Sequence, residues 1–252
     1  MTIDEWVNNP SGGRVGGLER EAYKSTMAQR LDPVLVRENN DIKYDMYKGG
    51  KGVYWLRVKV PSEVVKGFTY DVIFKFIKPK TAIHMGSTPL NTSYDFQVFS
   101  NDPAFNYTHC YVYKKNGLLP KELEDKCNKM AMRTRPVDTN LHEIVTYCKS
   151  VYWAILIAKQ KGLFAVDKYT QTINLKTFLD SVTHTDICIK ERQDKDATNQ
   201  KERQKEEKRK AIAKKQSHKP DEGPNFNKSN VVNFGVPSRG NKGINFNKSK
   251  KV

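Results

Sequence analysis

Val53-Tyr-Trp-Leu-Arg-Val-Lys-Val60 and Tyr70-Asp-Val-Ile-Phe-Lys-Phe-Ile77 decide the fold. In the first, Tyr54, Leu56, Val58 and Val60 fall on one face of an extended chain. In the second, Tyr70, Val72, Phe74 and Phe76 alternate against Asp71, Ile73, Lys75 and Ile77. A period of two in β-branched and aromatic residues is the signature of a strand that buries one face. Tyr94–Ser100 and Tyr107–Lys114 alternate in the same way. The connections are short or carry Pro and Gly, which favours antiparallel pairing, because parallel strands need long crossovers.

Working outward from this block, the pattern changes period. Leu123, Cys127, Met130 and Ala131 predict a helix over Leu119–Arg133. Asn140 is positioned to cap a longer helix, Leu141 to Lys161, ended by Gly162. That helix is apolar on most sides and so is expected to be central. A short helix from Asn174 or Leu175 to Ser181 closes the folded part. On the N-terminal side, Leu18–Leu31 reads as a helix stopped by Asp32-Pro33, and Lys48–Gly52 as a turn or flexible loop. Strands first and helices second predict an α+β fold, with an antiparallel sheet of about four strands within 53–114 packed by helices at about 119–181. The domain plan is a flexible leader over 1–17, a globular domain over 18–189, a charged spacer over 190–219 that i,i+4 acid–base pairs could make helical, and an extended arm over 220–252.

Charge separates these parts. The chain carries net +16, and residues 190–252 hold eighteen Lys/Arg against eight Asp/Glu, leaving the first 189 residues at only +6. All three Trp and all twelve Tyr precede residue 190. The C-terminal quarter therefore lacks the apolar surface that would offset its ordering entropy, and a disordered basic arm is expected. Lys201, Arg203, Lys205, Lys208, Arg209, Lys210, Lys214 and Lys215 are the candidates for phosphate contact with DNA, each releasing counterions on binding. The interleaved acids weaken that reading. Asn225-Phe226-Asn227-Lys228-Ser229 recurs identically as Asn245-Phe246-Asn247-Lys248-Ser249. Phe side chains in a segment without its own core suit pockets on a partner, with the Asn amides bonding to backbone. Two copies on one tether, reaching roughly 200 Å from residue 190 if fully extended, could engage two equivalent sites of a symmetric homo-oligomer.

Catalytic signals are sparse. There is no Gly-rich phosphate loop, HExxH, GxSxG or paired metal spacing, so no catalytic residue, metal ligand or cofactor is assigned. His142 and Cys148 are six apart on one predicted helix, and His109 and Cys110 are expected on opposite faces of a strand. Asp71 and Asp95, on neighbouring strands, form the best acid pair, without a basic or metal partner. Tyr107, His109, Tyr111 and Tyr113 would make an aromatic strand face able to stack bases, though packing is the simpler use. Lys66-Gly-Phe-Thr-Tyr70 starts like an RNA-recognition signature, but Thr69 and Asp71 break it. Cys110, Cys127, Cys148 and Cys188 show no paired spacing and read as reduced, mostly buried thiols. The first residues lack the apolar core of a signal peptide, and the run Val151–Ala158 is far too short to span a membrane.

Tyr70–Phe76, Tyr94-Asp-Phe-Gln-Val-Phe-Ser-Asn-Asp-Pro-Ala-Phe105, Tyr111–Leu119 and Tyr147-Cys-Lys-Ser-Val-Tyr-Trp-Ala154 resemble structural proteins of tailed-bacteriophage virions, most closely at Phe99–Phe105. The likeness covers about a third of the chain. It implies a virion component of the head or head–tail region, made in the host cytoplasm, with other virion proteins as partners and no transferable active site.

Overall fold

The computed structural model describes residues 1–8, 20–79, 91–136, 140, 143–169 and 174–217. The sheet has four antiparallel strands in the order β1 (Tyr44–Lys48), β2 (Val53–Pro61), β3 (Thr69–Ile77) and β4 (Asp95–Ser100). Helices α1 (Ile3–Asn8) and α2 (Arg20–Arg37) precede it. After it come α3 (Pro103–Thr108), α4 (Cys110–Lys115), α5 (Lys129–Arg133), α6 (Lys149–Gln160), α7 (Leu175–Asp180) and α8 (Thr185–Ser217). The α+β class and the strand count match the sequence reading, but one strand is different.

Tyr107–Lys114 is helical, not a strand. Asp102 accepts a hydrogen bond from the Ala104 amide, with Pro103 at the first helical position, so α3 starts with a cap and a residue preset for a helix. Phe105, His109 and Tyr113 then recur every fourth residue and bury a ring ladder, Phe105 lying 6.4 Å from His109 and His109 6.0 Å from Tyr113. Tyr107 is left exposed. The base-stacking face therefore does not exist. Its place in the sheet is taken by β1, too short and polar to stand out in the sequence.

The other boundaries shift for equally local reasons. α2 runs through Pro33 to Arg37. Pro inside a helix costs about 3 kcal/mol, but Val34 and Leu35 are buried beyond it, and at about 1.5–3 kcal/mol each they offset that cost. The 119–133 helix is split into a 3₁₀ turn, Lys121–Lys126, and α5, because Asn128 caps the amides of Met130 and Ala131. Asn140 caps a turn rather than a helix. Its side chain bonds the Ile144 amide and carbonyl, Glu143 adopts φ 51°, and α6 begins only at Lys149. α6 does end at Gly162, whose φ of 62° lets Leu163 reach back to the Ala158 carbonyl.

α6 is central, as its composition predicts. Trp153, Ala154, Ile155, Ile157 and Ala158 are buried, and the helix packs on β2, β3 and α2. The Trp153 indole donates to the Met27 carbonyl at 2.9 Å. The leader expected over 1–17 is ordered at its start. Thr2 and Glu5 form a reciprocal capping box, and Ile3, Trp6 and Val7 are buried. Trp6 lies 5.0 Å from Phe96 and 5.1 Å from Tyr147, which closes one end of the core.

Candidate functional site

Helix α8 carries the phosphate-contact candidates. Its first half is attached to the fold. His184 accepts from the Asp186 amide, Thr185 donates to the Lys126 carbonyl, and Cys188 joins a small apolar cluster with Val65, Phe68 and Tyr70. Asn199 donates to the Lys66 carbonyl at 3.2 Å. The folded part thus extends ten residues past the boundary expected at 189.

Beyond Asn199 the surroundings change. Every side chain from Gln200 to Ala213 is exposed. Residues 201–217 hold eight Lys/Arg against three Asp/Glu, whereas residues 185–200 hold three against four. With 3.6 residues per turn, Lys201, Lys205 and Lys208 line one stripe, and Glu202, Glu206 and Glu207 fall outside it. Good helix formers, and cations toward the C-terminus, stabilise such a stretch without burial. Lys214 and Lys215 lie within the same helix. The docking candidates Asn225, Phe226, Asn227 and Lys228, and Asn245, Phe246, Asn247 and Lys248, lie outside the described residues.

The structure separates the catalytic candidates. Asp71 belongs to the end of β3 that lies beside Asn101, whereas Asp95 pairs with Ile77 at the other end. Six residues of strand, about 20 Å, lie between them. Asp71 is buried and bonded to Lys59 at 3.1 Å, and Asp95 meets the Met1 amino group at 2.7 Å. His109 is buried among rings, and desolvation lowers its pKa to about 4, so it is neutral at physiological pH. His142 lies outside the described residues.

The four cysteines are free and buried. Cys148 sits at the N-cap of α6, a position that can favour a thiolate. Burial dominates and pushes its pKa up to about 12. Cys188 is likewise pushed up to about 12, and Cys127 is raised first by its hydrogen bond with Cys110 and then by burial. At neutral pH all three are protonated and poor nucleophiles.

Sequence reasoning missed one charged cluster. Glu63, in the β2–β3 connection, bonds Arg30 of α2 at 2.5 Å and Lys149 of α6 at 2.7 Å. These hydrogen bonds, Arg30's the larger, lower its pKa to about 2. Lys149 also lies 5.1 Å from the Trp153 ring centre. A cleft of about 230 Å³ opens beside it, lined by Tyr70, Asp102, Ser150 and Arg192. A carboxylate that is fully ionised and held by two cations is a poor proton acceptor at neutral pH, so the cluster serves to tie α2, the sheet and α6 together. A second cleft, about 450 Å³, is lined by Asp4, Thr92, Lys159, Phe164 and Lys168. Among the described residues no group of three or more His, Cys, Asp or Glu could hold a metal, and no helix is long and apolar enough to cross a membrane. The chain matches no family model, no curated protein and no solved structure.

Proposed function

We propose that this chain is a non-enzymatic assembly protein of a phage virion, in the head or head–tail region. The α+β domain packs as a homo-oligomer with other virion proteins, and the C-terminal arm docks on neighbouring subunits. The observation that carries this reading is the contrast along α8, a helix attached as far as Asn199 and then exposed, leading to the repeated Asn-Phe-Asn-Lys-Ser. A segment with no core of its own but with repeated Phe residues is suited to binding a partner. The resemblance to virion proteins supports the setting, and synthesis in the host cytoplasm follows from it. Deleting Asn225–Val252 should leave the domain folded and lower its incorporation into particles. Unchanged particle yield and composition would contradict the proposal.

The Lys201/Lys205/Lys208 stripe favours a second reading, a basic accessory protein that binds nucleic acid. Affinity for DNA would then fall steeply with added salt. Absence of binding at low salt rules this reading out.

A further inference from the structure

The two edges of the sheet are not equivalent. The Asn101 amide bonds the Asp71 carbonyl, so odd-numbered residues of β4 face β3, and Phe96, Val98 and Ser100 face outward. That edge is covered. The Val98 amide bonds the Leu118 carbonyl, and the Ser100 carbonyl accepts from the Asn106 side chain. At the opposite edge, Lys59 donates to the Lys43 carbonyl and Gly49 to the Val53 carbonyl. Odd-numbered residues of β1 therefore bond β2, and Tyr44, Met46 and Lys48 direct their N–H and C=O groups away from the sheet. Among the described residues nothing pairs with these groups.

Proteins usually protect such an edge with unpaired charge, Pro or a bulge. β1 has no Pro, and its pairing with β2 is continuous. Its one acid, Asp45, is taken by Arg57, whose Nε lies 2.7 Å away, so the only charge left along the strand is Lys48, exposed at its last position, while Tyr44 to Tyr47 carry none that is free. Tyr44 is exposed, Met46 and Tyr47 are half-buried, and no residue of the strand is fully buried.

The arm has the complementary pattern. Val232-Asn-Phe234-Gly-Val236 alternates apolar and polar residues with period two, the signature of a strand with one apolar face, and Ile244-Asn-Phe246 starts the same pattern before Asn247 and Lys248 end it. Residues 223–252 contain six Lys/Arg and no acid. Beside the N-terminal end of β1 lies a cleft of about 400 Å³ rimmed by Glu38 and Asp41 and equally by Lys43 and Lys59, so its charges balance and the pattern of the arm, rather than its charge, makes the match.

We infer that the open edge of β1 is the docking site for the arm of a second copy of this chain, which adds as a fifth strand, its backbone bonding Tyr44, Met46 and Lys48. This rests on the assembly reading above. The main chain would supply affinity, and the alternating Phe and Val side chains would supply specificity.

The test is light scattering on the full-length chain, on Met46→Pro, and on the chain lacking Asn225–Val252. Pro at 46 removes an outward-facing N–H, at a position where an edge strand tolerates it, together with the half-buried Met46 side chain, so its melting transition is measured beside that of Met46→Ala. The inference predicts that Met46→Pro and the deletion both weaken self-association at least tenfold while Met46→Pro keeps the melting transition of Met46→Ala. If the deletion weakens association and a folded Met46→Pro does not, the arm docks elsewhere; the inference fails and the assembly reading stands. If Met46→Pro alone weakens it, two β1 edges pair with each other, and the arm is not the occupant. If the full-length chain is monomeric, the assembly reading falls with the inference. Should Met46→Pro not fold, copies carrying Lys48→Cys are oxidised with copies carrying Asn247→Cys. A crosslink between copies is expected, and a yield no higher than with exposed Met130→Cys overturns the inference.

Discussion

Residues 185–199 and 200–213 belong to one helix and differ in almost everything else. The first stretch is anchored by Thr185, Cys188 and Asn199, and its charges nearly balance. The second is exposed throughout and strongly basic. Helical structure therefore depends on packing in one stretch and not in the other. In the first stretch tertiary contacts fix the helix, and in the second propensity and charge placement are enough. A surface kept ordered without being buried is available to a partner.

This contrast sets a ranked series of expectations. The largest effect belongs to the body. Phe74 is fully buried on β3 and stacks 6.0 Å from Phe76, so Phe74→Ala should cost about 3–5 kcal/mol in a denaturant melt. A cost below 1 kcal/mol would mean that the sheet face is not the core.

The next effect is acid sensitivity, also seated in the body. His109 has a folded pKa of about 4 against 6.5 in the unfolded chain. The unfolded state therefore binds the proton first. This contribution is fully present above pH 6.5 and is lost as pH falls to 4, about 3 kcal/mol in all. Glu63, lowered from 4.5 to about 2, adds a further loss between those values, discounted because the cluster is partly open to solvent. Unfolding measured between pH 7 and 4 should show the first slope, and His109→Phe should remove most of it. An unchanged slope in the variant would assign it elsewhere.

The smallest stability effect is expected on the outer helix. Replacing Lys201, Lys205 and Lys208 together with Gln should change stability by less than about 0.5 kcal/mol. If the helix touches phosphate, the same change lowers the salt dependence of DNA binding by about one unit of slope per lysine. A large loss of stability would show that the outer helix is packed after all.

How much of this is legible in the sequence varies with the local signal. β2, β3 and β4 announce themselves by alternation, α6 by its apolar surface and Gly162, and α7 by Asn174, which caps the Lys176 amide. Tyr107–Lys114 misleads because its tyrosines satisfy a period of two while Phe105, His109 and Tyr113 satisfy a period of four. Asp102-Pro103 is the feature that decides between them. Helix α1 is hidden by its acids, yet Thr2-Ile3-Asp4-Glu5 is a capping box, and Ile3, Trp6 and Val7 have helical spacing. Of the candidate sites, the basic stripe is readable from composition. The Glu63 cluster and the open edge are not, because both depend on which strands and helices become neighbours.

The most direct test of the assembly reading is the native mass of the full-length chain beside that of the chain lacking Asn225–Val252, at one concentration and moderate salt. The reading predicts a multimer for the first, a shift toward monomer for the second, and the same melting temperature for both. Equal masses would contradict a role for the arm in assembly, and a monomer in both cases would contradict the assembly protein itself.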